Sequence, residues 1–135
     1  MVRGQAAGRW GGIAYIARDD CARAAAAVAA SDEPPLGAIE LTGSEVINDE
    51  HLTVLVSRIT GRPLRFVPMD ADALIRHLAA TGVPMPRAAA KVALDIALAT
   101  GHLEFTSGSF AALTGRPPTR LHDFLLSAGI ASVPA

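Results

Sequence analysis

The sequence predicts an α/β fold in which a few short strands accompany a predominantly helical remainder. Short β-favouring runs alternate with helical patterns in the first half of the chain, and only helical patterns follow Asp70. Apolar residues make up 50% of the 135 residues and aromatic residues only 4%, so small aliphatic side chains must fill the core and let the helices pack closely. A chain of this length is expected to form one domain.

The first predicted strand-to-helix unit follows a glycine-rich start. Residues 1–11 carry glycines and arginines without periodicity and are expected to form a flexible N-terminal arm, which leaves residues 12–135 as the single domain. The run Ile13–Ala17 favours a strand, and Asp19 or Asp20 is expected to cap an alanine-rich helix that reaches about Ala30.

A second unit of the same kind follows the proline-containing loop at 31–35. A strand bounded by glycines is predicted from Gly37 to Gly43, and Asn48 is expected to cap the next helix. That helix has apolar residues at helical spacing, namely Leu52, Leu55, Val56 and Ile59. Gly61 is expected to end the helix, and a third strand is predicted over Leu64–Val67.

Four further helices are predicted after the third strand. The first three are predicted over Asp70 to Thr81, Arg87 to Thr100, and Ser107 or Ser109 to Gly115. The last helix is expected to be capped by Thr119 and to direct Leu121, Phe124 and Leu125 to the core. The helical second half therefore completes the predicted fold class.

Charge and cysteine content exclude several functional classes. The net charge is −1 with neither sign in a run, which argues against nucleic-acid or anionic membrane partners. The single cysteine, Cys21, has no intrachain disulfide partner, and no Cys/His spacing predicts a metal site. No signal peptide or membrane span is expected, so a cytoplasmic location is predicted. The mean hydropathy of +0.32 is high for a small protein and suggests a covered apolar face.

The chain lacks the loop that binds a dinucleotide in most nucleotide-binding α/β proteins. Where a Gly-x-Gly-x-x-Gly loop is expected to open the first helix, the sequence has Arg18-Asp19-Asp20-Cys21-Ala22. Two carboxylates at a helix N-terminus repel a pyrophosphate. No cofactor is therefore expected to bind to this chain alone.

Three stretches together resemble one family. They are residues 12–22 (Gly-Ile-Ala-Tyr-Ile-Ala-Arg-Asp-Asp-Cys-Ala), Glu40-Leu41-Thr42-Gly43, and residues 60–67 (Thr-Gly-Arg-Pro-Leu-Arg-Phe-Val). In this order they resemble the C-terminal half of NmrA-like atypical short-chain dehydrogenases. Residues 78–84 and 113–119 are similar to the bacterial NAD(P)H:quinone oxidoreductase branch in particular.

The resemblance implies a truncated Rossmann-type C-terminal lobe that forms the substrate side of an oxidoreductase. In that family the dinucleotide loop lies in the other half, so NAD(P) is expected only with a complementary nucleotide-binding partner. A homodimer is the other expected assembly, because an unpaired Gly37–Gly43 strand exposes an edge that a second copy can cover. The expected ligand is a small organic molecule.

Six residues are candidates for the site. Asp95 interrupts an apolar helical stretch and His102 follows it closely, so the pair is a candidate general base and acid. Tyr15, Arg18, Leu98 and Phe105 are the candidate substrate-binding residues. The competing interpretation pairs Asp95 with Lys91 on a solvated stripe and leaves His102 at the surface.

Three functions remain open from the sequence. The first is the substrate-binding lobe of an NmrA-like oxidoreductase. The second is a free-standing, cofactor-independent isomerase or cyclase that acts on a quinone- or polyketide-like molecule. The third is a non-catalytic sensor or regulator of a small ligand.

Overall fold

The computed structural model describes residues 11–130 and the backbone of a two-residue strand at 3–4. The strands are β1 (Arg3–Gly4), β2 (Gly12–Ile13), β3 (Ile47–Asn48) and β4 (Pro68–Met69). The helices are α1 (Arg18–Ala29), α2 (Asp49–Thr60), α3 (Ala71–Ala80), α4 (Met85–Ala99), α5 (Ser109–Thr114) and α6 (Leu121–Ser127). The predicted fold class, mostly helical α/β with few short strands, is confirmed.

The described strands form two small sheets. β1 pairs with β4 in parallel, with Arg3 opposite Pro68, and β2 pairs with β3 in antiparallel register, with Gly12 opposite Asn48. The strand β1 belongs to the expected N-terminal arm, whose residues 1, 2 and 5–10 lie outside the described part of the chain.

The predicted strands were wrong in position. The first covers only Gly12–Ile13 and not 13–17, and no strand forms over 37–43 or 64–67. In the second segment, the Gly43 N–H donates a hydrogen bond to the Ala14 carbonyl. The Glu40 carbonyl accepts a hydrogen bond from the Ser107 hydroxyl. These contacts replace a strand ladder. The edge that suggested a homodimer is therefore absent from this segment.

Several helix ends follow the predicted signals. Asn48 Oδ1 accepts the His51 N–H at 2.8 Å at the start of α2, and Asp70 Oδ1 accepts the Ala73 N–H at 2.7 Å at the start of α3. Gly61 ends α2 with a φ of 67°, a conformation that costs little only for glycine. Helix α4 begins at Met85 rather than Arg87, because Pro86 fits the first turn of a helix.

Two predicted caps are wrong. Helix α1 starts after Ala17, so Asp19 and Asp20 lie inside its first turn, and α6 starts after Arg120 rather than Thr119. Asp20 is instead buried and accepts the backbone N–H of Thr119 at 2.7 Å. A residue expected to cap a helix locally joins two distant parts of the chain.

The core lies between pairs of helices. Helix α3 packs on α4, and α1 packs on α5. Fully buried side chains in these contacts are Ala24, Leu74, Ala88 and Phe110. Small residues on facing helices allow the close packing that the composition predicts. No helix within the described residues combines the length and apolarity needed to cross a membrane.

Candidate functional site

A cavity of about 350 Å³ opens beside the loop that follows α4. It will be called the His102 cavity. Its described lining residues come from three segments of the chain and are Ile13, Ala14, Glu40, Leu41, Thr42, His102, Leu103 and Phe105. A cavity of this size, with mostly apolar walls and a few polar groups, is of the kind that binds small organic molecules.

Three long-range hydrogen bonds hold these segments together. The Gly12 N–H donates to Glu104 Oε1 at 2.9 Å, which ties β2 to the loop after α4. The Ser107 N–H donates to the Thr42 hydroxyl at 2.7 Å, and the Ser107 hydroxyl donates to the Glu40 carbonyl at 2.7 Å. The walls of the cavity are therefore fixed by contacts between residues far apart in sequence.

The backbone on the other side of the cavity is also closely packed. The Gly43 N–H donates to the Ala14 carbonyl at 3.2 Å. A Cβ on Gly43 would lie 2.0 Å from the carbonyl oxygen of Tyr15, so no side chain fits there. Glycine at this position brings the segment that carries Thr42 against the segment that carries Ala14.

His102 is the titratable ring on the cavity wall. Its Nδ1 contacts the Thr100 hydroxyl, and that hydroxyl also donates to the Ala97 carbonyl. Because the hydroxyl has one hydrogen, Nδ1 must carry the proton of the contact with Thr100. The neutral imidazole therefore has its lone pair on Nε2, the nitrogen left to interact with a bound molecule.

The structure places four of the six candidate residues in two different cavities. His102 and Phe105 line the His102 cavity. Tyr15 and Arg18 line a different cavity of about 340 Å³, which Phe124 of α6 also borders. Side chains alternate along an extended segment, so Ala14 and Tyr15 face different cavities.

Asp95 and Leu98 line neither cavity. Asp95 is buried in α4, with 7% of its surface exposed, and one carboxylate oxygen pairs with Lys91. The other oxygen, Oδ2, is buried without a hydrogen-bond partner among the described residues. Leu98 is half-buried, and its carbonyl lies against Gly11. The Lys91 pairing predicted from sequence is present, but on a buried rather than a solvated face.

Sequence reasoning missed Glu40, Thr42 and Glu104 at this site. Glu40 and Thr42 lie in a segment that was predicted to be a strand. A strand prediction concerns backbone pairing and does not indicate their contacts with Ser107. Glu104 lies three residues after Gly101 and, in the sequence, resembles an ordinary surface residue. Its partner, the Gly12 N–H, is 92 residues away and leaves no local signal.

Solved structures share this fold over most of the chain. A triphenylmethane reductase from Citrobacter sp., complexed with NADP(H), matches 94% of the chain with a TM-score of 0.83 and 24% identity. An NADPH-dependent quinone oxidoreductase from Escherichia coli matches 95% of it with a TM-score of 0.83 and 25% identity. The chain has an NmrA-like reductase fold. The resemblance inferred from the sequence motifs is thereby confirmed.

The chain spans less than half of these proteins, 44% of the triphenylmethane reductase and 46% of the quinone oxidoreductase. A nucleoside-diphosphate-sugar epimerase from Staphylococcus aureus also matches, over 85% of this chain and 40% of the epimerase, with a TM-score of 0.76 and 24% identity. No protein-family model and no curated protein matches the sequence.

Carboxylates occupy the described helix starts where the pyrophosphate of a dinucleotide would bind. At each described strand-to-helix junction, the first helical turn carries carboxylates: Asp19 and Asp20 in α1, Asp49 and Glu50 in α2, and Asp72 in α3. A pyrophosphate at such a helix start meets like charge instead of free N–H groups. Within the described residues, no cluster of His, Cys, Asp or Glu side chains is arranged to hold a metal ion.

Proposed function

We propose that this chain is the substrate-binding lobe of an NAD(P)H-dependent oxidoreductase and that the His102 cavity holds its small organic substrate. The observation that carries the proposal is this mostly apolar cavity with the His102 imidazole on its wall, in a fold shared with an NADPH-dependent quinone oxidoreductase. A quinone-like ring suits it, because the walls contributed by Leu41, Leu103 and Phe105 contact a flat apolar face.

The chemistry assigned to His102 follows from its tautomer. Reduction of a carbonyl or quinone adds a hydride at one centre and a proton at oxygen. A protonated His102 gives the proton from Nε2 and is left as the neutral form in which Thr100 holds the proton on Nδ1. The chain thus supplies the binding surface and the proton, while NAD(P)H supplies the hydride.

The nucleotide site is assigned to a complementary domain or chain. The carboxylates in the first turns of α1, α2 and α3 support this assignment, since they oppose pyrophosphate binding here. Helix α4 exposes the apolar side chains of Leu94 and Ile96, at 53% and 42% of their surface, and either side chain offers a contact to that partner. A homodimer is the competing arrangement, which light scattering distinguishes by mass.

The first test is binding of 1,4-naphthoquinone to the chain, measured by chemical shifts of the amides of residues 40–42 and 102–105. We expect saturable binding, weakened roughly 3- to 10-fold in Phe105→Leu because the aromatic contact is lost. Phe124→Leu is the matched control, since Phe124 is similarly exposed but lines the other cavity. NADPH alone is expected not to bind.

Equal weakening by Phe105→Leu and Phe124→Leu would remove the His102 cavity as the substrate site. Saturable NADPH binding at micromolar concentration would contradict the assignment of the nucleotide to a partner.

A cofactor-independent isomerase or cyclase is the second candidate, favoured by the unpartnered Oδ2 of buried Asp95. Such an enzyme exchanges a proton next to a carbonyl without NADPH. The test is deuterium incorporation into 2-indanone in D₂O, followed by NMR. If Asp95 is the base, Asp95→Asn lowers the catalysed exchange about 100-fold, whereas exposed Asp123→Asn leaves it unchanged. Equal exchange by both variants excludes Asp95.

A further inference from the structure

A second cavity carries a charge pattern that the proposed function does not use. It is a groove of about 530 Å³ between α2 and the start of α6, and it will be called the basic groove. Its polar walls include Arg58, Arg120, His51 and His122, and Ile47 and Leu55 contribute apolar surface. It shares no described lining residue with the His102 cavity.

The arginines of the basic groove are available to a ligand. Arg58 makes no hydrogen bond or ion pair with any described residue, and its side chain is exposed. Arg120 pairs with Glu45 at 3.7 Å, with 67% of its side chain exposed, and such long, solvated ion pairs contribute little energy. A ligand anion can therefore engage both guanidinium groups without breaking a strong contact.

The lining of the basic groove carries a net positive charge, although acidic residues lie near it. Glu45 is the single carboxylate on the described lining, against two arginines, so the lining carries a net charge of +1 with neutral histidines. Asp49 and Glu50 lie in the first turn of α2 and do not line the groove. Asp123 accepts the Nδ1 hydrogen of His122 at 3.0 Å, which orients the imidazole and leaves Nε2 for a ligand.

The apolar part of the groove is also unfilled. Val54 lines it with 48% of its surface exposed, next to half-buried Ile47 and Leu55. An inorganic ion would leave this surface in contact with water. A molecule with an apolar body covers it and gains roughly 25 cal/mol per Å² of apolar surface removed from water.

We propose that the basic groove binds a small organic anion, whose carboxylate or phosphate group contacts Arg58 and Arg120 and whose apolar body covers Val54 and Leu55. Guanidinium groups bind carboxylate and phosphate oxygens with paired, charge-assisted hydrogen bonds. The chain then has two ligand sites of different chemistry, one for an uncharged ring and one for an anion.

The test uses 2-naphthoate as the probe, with binding followed by the chemical shifts of the amides of α2 and α6. We expect saturable binding that weakens roughly 10-fold in Arg58→Gln, because one charge-assisted contact is lost. Arg58→Lys is expected to recover part of the affinity by keeping the charge. Arg76→Gln, on the exposed side of α3, is the matched control and is expected to have no effect.

Two ligand controls separate the charge from the apolar body. The neutral amide 2-naphthamide is expected to bind at least 10-fold more weakly than 2-naphthoate, and inorganic phosphate is also expected to bind more weakly. Equal affinity for naphthoate and naphthamide, or an unchanged affinity in Arg58→Gln, would overturn the proposal. Urea unfolding of each variant confirms the fold. The 1,4-naphthoquinone experiment reports on other residues, so the two proposals can fail separately.

Discussion

The substitution Gly43→Ala is expected to destabilise the fold by about 3 kcal/mol, the upper end of the range for overpacking. The new Cβ would lie 2.0 Å from the Tyr15 carbonyl oxygen and 2.9 Å from its carbonyl carbon. Both atoms belong to the backbone, so a side-chain rotation cannot relieve the clash. The change in the free energy of unfolding can be measured by urea denaturation.

Gly108→Ala is the matched control for Gly43→Ala. A Cβ on Gly108 meets nothing within 4 Å, and the φ of −84° is one that alanine adopts freely. The free energy of unfolding is expected to change by less than about 0.5 kcal/mol, because the lost N-cap glycine and the reduced unfolded-state entropy nearly cancel. A Gly43→Ala variant as stable as Gly108→Ala would mean that the segments carrying Ala14 and Thr42 are not in close contact.

Asp20→Asn is expected to lower the free energy of unfolding by roughly 2–3 kcal/mol at pH 7, since hydrogen bonds to a buried charge are lost or weakened. The Asp20 carboxylate accepts the Thr119 N–H at 2.7 Å and the Arg23 guanidinium at 2.8 Å. Asp19→Asn is the matched control, because Asp19 lies in the same helical turn but is exposed.

The contribution of Asp20 also depends on pH. Burial raises the pKa of the Asp20 carboxyl, but hydrogen bonds from Thr119 and the charge and hydrogen bond of Arg23 outweigh burial and hold the pKa below its usual value of 3.8. The stabilisation is therefore present above the pKa of the unfolded chain and is lost as the pH falls through the lower folded-state pKa. The stability difference between the wild-type protein and Asp20→Asn should shrink below about pH 4. A difference that is constant with pH would contradict the ionised contact.

Local signals predicted the helices well and the strands poorly. Asn48 and Asp70 cap helices as expected, because a cap and its N–H partner are three residues apart and both are visible in the sequence. The predicted strand at 37–43 failed because strand formation depends on a distant partner. In the structure, this segment forms hydrogen bonds with Ser107 instead, and tertiary packing determines that pairing.

The candidate site was predicted only in part, because the sequence shows local signals but not contacts between distant residues. His102 and Phe105 lie three residues apart in one loop, so a single local fold brings both to the His102 cavity. Tyr15 lies beside Ala14 in sequence, yet the alternation of an extended segment turns it toward another cavity. The basic groove was missed because its arginines come from residues 58 and 120, which no sequence spacing relates.

The bond between Asp20 and Thr119 joins residues 99 positions apart, and this separation sets the order in which the protein can mature on the ribosome. At ordinary elongation rates of about 5–20 residues per second, Thr119 is synthesised roughly 5–20 s after Asp20. During that interval α1 lacks its contact with the segment that precedes α6. The Asp20 contact can therefore stabilise the nascent chain only after Thr119 has been synthesised and has left the ribosome.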